Sequence, residues 1–135
     1  ADVVADRCGT CTRCIDACPT EAVLPGRLVA SERCISYLTI EHRGELPPDL
    51  AAKLAGHVFG CDICQEVCPW SGRAPEGNAA FAPRSGYGAT PVTDLLRFEQ
   101  ADFSRLFRKS AIKRAKLAGI QRNVRAVAGA GGQER

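Results

Sequence analysis

The run "CGTCTRCIDACP" leaves the chain around it little freedom. Cys8, Cys11, Cys14 and Cys18, followed by Pro19, are spaced C-x2-C-x2-C-x3-C-P. Three thiolates two residues apart can wrap one [4Fe–4S] cube, while the fourth is carried off on the next turn and serves a neighbouring cluster. The proline removes a backbone donor and ends the run. A second stretch, "CDICQEVCPW", repeats the pattern 50 residues later: Cys61, Cys64, Cys68 and Pro69 correspond to Cys11, Cys14, Cys18 and Pro19. Its position equivalent to Cys8 is Val58, so this copy is one cysteine short.

The crossover rule sends Cys68 to the first site, giving Cys8, Cys11, Cys14 and Cys68, and sends Cys18 to the second, with Cys61 and Cys64. One cysteine of the eight remains, Cys34, and it fills the gap. Exchange of Cys34 with another ligand is the main way this assignment fails. Zinc fits less well, because zinc ribbons pair two C-x2-C knuckles without a third cysteine and a C-P ending. A disulfide scaffold belongs to oxidising compartments, and no secretory leader pattern is present in the sequence. No stretch approaches the ~20 apolar residues of a membrane span, and the expected location is the cytoplasm. The chain has no Met and opens "ADVVADRC", which reads as a piece of a longer protein. His42 and His57 each stand alone and read as surface histidines. Trp70 and Phe59 flank the second run and are expected to shield its cluster from water.

Such a scaffold needs its ties. Gly and Pro total 21 of 135 residues and aromatics are 6%, so loops dominate the cysteine-bearing part. "LPGRLV" predicts a tight turn into a short extended piece, and "RCISYLTIEHRGEL" is compatible with strand or helix up to Gly44 and Pro47-Pro48. Asp49 reads as the N-cap of a helix through Phe59 carrying Leu50 and Leu54. The segment from Ser71 to Thr90 reads as a long surface connection anchored by Phe81 and Tyr87. Beyond it, Ser110 is expected to cap a helix through Leu117, Gly119 to stop it, and Asn123 to cap another. The expected fold is α+β: a ferredoxin-like dicluster domain at 1–75, a linker at 76–92 and a short helical, HEAT-like module at 93–135.

Charge is divided along the chain. Residues 1–100 hold 9 Lys/Arg and 13 Asp/Glu, net −4, whereas residues 101–135 hold 9 and 2, net +7. Arg105, Arg108, Lys109, Lys113, Arg114, Lys116, Arg122 and Arg125 form a basic tail, with Lys113, Arg114 and Lys116 near one predicted helical face opposite Ile112 and Leu117. Such a stripe suits a polyanion. The residues contain no nucleophile–base pair, no paired carboxylates and no phosphate loop, and alone they describe an electron-transfer module, with a free-standing 2[4Fe–4S] carrier as the alternative reading.

Four stretches, "CGTCTRCIDACPTEAV", "RCISYLTIEHRGELP", "VFGCDICQEVCPW" and "FRKSAIKRAKLAGIQRNVRAV", together resemble the epoxyqueuosine reductase family over nearly all of residues 7–128. The resemblance implies a cobalamin-dependent oxidoreductase of queuosine biosynthesis, in which two [4Fe–4S] clusters deliver electrons to cobalt and the epoxide in tRNA is reduced. It also implies Cys34 as a ligand of the second cluster, with Ser36 and Asp62, beside cluster ligands, facing the cofactor. The implied partners are tRNA, bound by the basic tail, and an external electron donor, with no membrane and a monomeric state. The family's cobalamin domain and catalytic acid have no counterpart in these residues, and the chain alone is expected to be inactive.

Overall fold

The computed structural model describes residues 5–73, 77–82, 88 and 90–130. The expectation for Tyr87 lies outside them. Each cysteine run folds into a loop that delivers a single helical turn. Helix α1 (Arg13–Asp16) follows Thr12, and helix α4 (Ile63–Glu66) follows Asp62. The two preceding residues adopt the same backbone, φ −117° with ψ 5° and 10°, so the sequence repeat is also a conformational one. Helices α1 and α4 touch. Each one-turn helix leaves its end groups to the neighbouring loop, and the Cys18 and Cys68 amides are taken up by the Ile15 and Gln65 carbonyls.

Between them, strands β1 (Val23–Leu24) and β2 (Leu28–Val29) form an antiparallel hairpin with Val23 opposite Val29 and Leu24 opposite Leu28. The turn Pro25–Arg27 uses Gly26 at φ 77°, as "PG" predicts. The ambiguous "ISYLTI" is helix α2 (Ile35–Ile40), which starts at Cys34. Ile35 and Leu38 face a small core with Leu46, Leu50 and Leu54. Helix α3 (Pro48–Ala51) differs from expectation: Pro47 precedes it, Pro48 takes the first position, and Asp49 lies inside the first turn, not at the cap. The helix does not reach Phe59, because Ala55 (φ 49°) and Gly56 (φ 79°) turn into the left-handed region.

The C-terminal part is helical around a second core of Leu95, Phe103, Phe107, Ala115, Ile120 and Val124. A 3-10 turn (Val92–Arg97) leads into α5 (Gln100–Leu106), started by a reciprocal capping box between Glu99 and Asp102. Ser110 caps, but what it caps is the 3-10 turn Ala111–Ala115, its hydroxyl accepting the Ile112 N–H at 3.2 Å. Lys116, at φ 63°, breaks that turn from α6 (Lys116–Ala130). Lys113, Arg114 and Lys116 therefore do not share one helical face. Gly119 and Asn123 lie within α6 and neither stop nor start a helix. Gly119→Ala is expected to stabilise the fold by about 0.5–1 kcal/mol, since the added Cβ would meet only the Ala115 Cβ at 3.8 Å. A thermal melt shifted upward by a few degrees checks it; a lower melting point would contradict the packing described.

Helix α6 also joins the two parts. Asn123, fully buried, donates to the carbonyls of Thr39 (2.8 Å) and Val58 (2.9 Å). Arg122 donates to the carbonyls of Leu38, His42 and Gly44 and to the Asn123 side chain. Among the described residues no helix is long and apolar enough to cross a membrane.

Candidate metal centres

All eight thiols are free, and they fall into two neighbourhoods. The first is a cavity of about 400 Å³ whose walls include Cys8, Cys11, Cys14, Cys64 and Cys68. The second surrounds Cys61. Burial pushes the Cys61 thiol up, and the neighbouring sulfurs of Cys64, Cys34 and Cys18 push it further, against an opposing amide of Ile63. Cys64 is raised in the same way, by burial and then by Cys34, Cys14 and Cys18, with its own amide opposing. Thiolates sharing one neighbourhood repel one another, and a cationic metal body between them removes the repulsion. Among the described residues no three His, Cys, Asp or Glu side chains converge as they would on a single ion. A cube of four irons takes one thiolate per iron and keeps its ligands apart, which suits thiols spread around a cavity better than zinc does.

Local structure explains why Cys34 reaches the second group. Cys34 sits at the start of α2, and the polar side chains of that helix grip the loop ahead of Cys61. The Ser36 hydroxyl accepts the Cys61 N–H at 3.1 Å, and the Thr39 hydroxyl accepts the Gly60 N–H at 3.0 Å while donating to the Ile35 carbonyl at 2.7 Å. Gly60 is at φ 73°, a conformation that other residues adopt only with strain. The Ser36 oxygen is thus engaged with the backbone. Asp62 precedes α4 without capping it through its side chain.

Hydrogen bonds to sulfur distinguish individual thiols. Burial alone would raise Cys18, yet the Thr20 hydroxyl and the amides of Val23, Ala22 and Thr20 outweigh it and hold it below the usual thiol value. The Ala22 N–H lies 3.3 Å from the Cys18 sulfur. At Cys8 the contact is charged: the Arg27 guanidinium is pushed up by its bond to that sulfur and then by Asp6, which accepts the Cys8 N–H at 2.9 Å. Arg27 was not singled out by sequence; only its place in a turn between two cysteines marks it.

Trp70 does not stand over the Cys61 group. The chain leaving Cys68 stays beside the cavity that Cys68 enters, so Trp70 lines that cavity and remains 40% exposed. Phe59 packs into the C-terminal core instead. His42 Nε2 and His57 Nδ1 are each bonded to a nearby backbone carbonyl, of Glu45 and Leu54.

The basic residues divide as well. Arg105 pairs with Asp102 at 2.9 Å and Arg114 with Glu41. Arg122 points inward, and its charge is disfavoured by burial and by Arg43, with Glu45 opposing. A second cavity, of about 300 Å³, is lined by His42, Arg43, Lys116, Arg122 and Arg125, with Glu45 as the one acid in its walls. Arg108, Lys109 and Lys113 are exposed on the same terminal segment.

Comparison with known proteins bears on both parts. Residues 7–71 match the 4Fe-4S double cluster binding domain. The chain is 45% identical over 120 residues to epoxyqueuosine reductase of Cyclobacterium marinum, covering 88% of this chain and 38% of that protein. Against epoxyqueuosine reductase of a Synechocystis species it is 45% identical over 125 residues, covering 90% and 43%. It also superimposes, with a TM-score of 0.81 and 34% identity, on a crystal structure of epoxyqueuosine reductase with an epoxyqueuosine-modified tRNA-Tyr stem loop, covering 92% of this chain and 33% of that one. The chain thus spans well under half the length of the relatives it matches.

Proposed function

From a 4Fe-4S double cluster binding domain over residues 7–71, set in a chain similar to part of epoxyqueuosine reductases, we propose that this is the electron-delivering iron–sulfur part of such a reductase. In this reading the whole enzyme reduces epoxyqueuosine to queuosine in tRNA through cobalamin. Cys8, Cys11, Cys14 and Cys68 hold one cluster, and Cys18, Cys34, Cys61 and Cys64 the other. The observation that supports it best is the cavity lined by Cys8, Cys11 and Cys14 of the first run together with Cys68 of the second, inside the matched residues 7–71.

The donor set suits the group: eight free thiols, soft ligands for iron–sulfur chemistry. The clusters supply one-electron transfer. The chain's own residues set the terms of that transfer. The Ala22 amide on Cys18 and the Arg27 guanidinium on Cys8 favour the more negatively charged state at those sulfurs. Cobalamin fits these residues less well. The two cavities described hold about 300–400 Å³, at the low end even for a drug-sized ligand, while the Ser36 hydroxyl, which accepts the Cys61 N–H, keeps its proton to donate. Ser36 and Asp62 remain proposed as cofactor-side residues beside the cluster, and no step is derived through the cobalamin. An external reductant, a monomeric state and the division at 1–75, 76–92 and 93–135 belong to the same proposal.

For tRNA, the cavity beside α6 supports phosphate contacts by Lys116 and Arg125, joined by Arg43, with Lys113, Arg108 and Lys109 nearby. Arg105 and Arg114 are shared with carboxylates, and Arg122 contributes charge from behind, its N–H groups held by carbonyls. The test is to combine the reconstituted chain with a polypeptide supplying the remaining length of a relative and to assay epoxyqueuosine-tRNA for conversion. Turnover that depends on this chain is expected. Intact clusters with no turnover would leave a free-standing carrier as the reading.

A further inference from the structure

The cavity around Cys8, Cys11, Cys14 and Cys68 has walls of an unusual composition. Arg7, Arg13 and Arg27 line it, and none of its described lining residues is acidic. Yet residues 1–100 carry a net charge of −4, so this cluster of arginines runs against the charge of the surrounding chain. Trp70 lies between two of the guanidiniums, with Arg7 at 5.2 Å and Arg73 at 4.8 Å from its ring centroid. It also donates its indole N–H to the Arg7 carbonyl at 3.2 Å, which fixes ring and backbone together. Asp6 is the nearby acid, and it is spent on Arg27 and the Cys8 amide.

The same wall also carries exposed apolar side chains. Leu28 is 63% exposed and Val29 56%, both on the β1–β2 hairpin and both lining the cavity with Trp70. Exposed apolar side chains beside a group of like charges suit a transient encounter surface, where steering by charge sets the association rate. Cys8 and Cys11 are themselves exposed here, so a metal body held by them lies close to whatever docks.

We propose that this face, formed by Arg7, Arg13, Arg27 and Arg73 around Leu28, Val29 and Trp70, is the docking site for an acidic one-electron carrier protein. The inference rests on the cluster assignment above and adds the point of electron entry. In the step, one electron leaves the reduced carrier and enters the cluster held through Cys8 and Cys11; the carrier is oxidised by one electron, the cluster reduced by one, and no bond or proton moves. The arginines bring the carrier in and the exposed thiol side shortens the transfer path.

The test uses the anaerobically reconstituted chain and an acidic [2Fe–2S] ferredoxin as the carrier. Binding of the oxidised ferredoxin is measured by calorimetry, and electron transfer from the reduced one by stopped-flow absorbance. Association is expected to fall about ten-fold or more on raising salt from about 0.02 M to about 0.3 M. The double variant Arg13→Glu and Arg73→Glu, which spares the Cys8 contact, is expected to weaken binding and slow transfer by a similar factor, while Lys53→Glu, an exposed residue outside this cavity's lining, changes neither. Reduction by dithionite and iron content should be the same in all variants. If no clusters assemble, the proposed function fails at its base. If clusters assemble but binding ignores both salt and the arginine variants, or no ferredoxin binds because another part of the polypeptide covers the face, this inference alone is overturned.

Discussion

Cys34→Ser is expected to lower the iron of the reconstituted chain from about eight to about four atoms, with acid-labile sulfide falling in step. The loss should be selective. Cys34 stands with Cys18, Cys61 and Cys64, and none of these four except Cys64 lines the cavity of Cys8, Cys11, Cys14 and Cys68. Cys18→Ser should give the same half-loss although it lies in the first run, and Cys68→Ser should remove the opposite half although it lies in the second. This crossed pattern separates shared sites from two independent ones, in which a serine in each run would empty its own site. Iron and sulfide analysis with electron paramagnetic resonance of the reduced protein reads it directly. A Cys34→Ser protein that keeps both signals would sink the ligand assignment.

The second large effect is expected at Asn123, which binds no cofactor. Its side-chain amide is the donor for the buried carbonyl of Thr39 and the partly buried one of Val58, and its oxygen accepts Arg122. Leucine fills a similar volume but supplies no hydrogen bond, so Asn123→Leu leaves two carbonyls and part of a guanidinium without partners. Each buried unsatisfied group costs roughly 1–3 kcal/mol, and the variant should lose about 3–5 kcal/mol, on the order of 10–20 °C in melting temperature. Because Thr39 and Val58 belong to the segments that lead to Cys34 and Cys61, the iron that remains should come mainly from the other site. Circular dichroism melts and iron analysis check both halves. A melting point within about two degrees of the parent would show that water or a neighbouring group replaces the amide.

The cysteine pattern was legible in sequence because ligand spacing is local: two, two and three intervening residues determine which way each thiol points. The hairpin was legible for the same reason, with Pro25 and Gly26 announcing the turn. The tail was read less well. Ser110 is a genuine cap, but nothing nearby says that its helix lasts one 3-10 turn, and Lys116 adopts φ 63° without being glycine. Asn123 carries the residue type of a cap and spends it on tertiary bonds. Its position was the available clue, three residues after Ile120 and next to Val124, on the buried side of any helix drawn there. Trp70 follows Cys68 by two residues and lines the same cavity, a proximity that the expectation about shielding did not carry through.

The reach of α6 across the chain has a consequence for how the protein is made. Synthesis runs from the N- to the C-terminus, so when Cys68, the last of the eight cysteines, is added, the helix that pins the Thr39 and Val58 segments is still untranslated. In the proposed assignment, the site of Cys8, Cys11, Cys14 and Cys68 needs no residue after Cys68. The one that borrows Cys34 gains its final brace some fifty residues later, and iron delivered to a nascent chain should fill the two sites in that order.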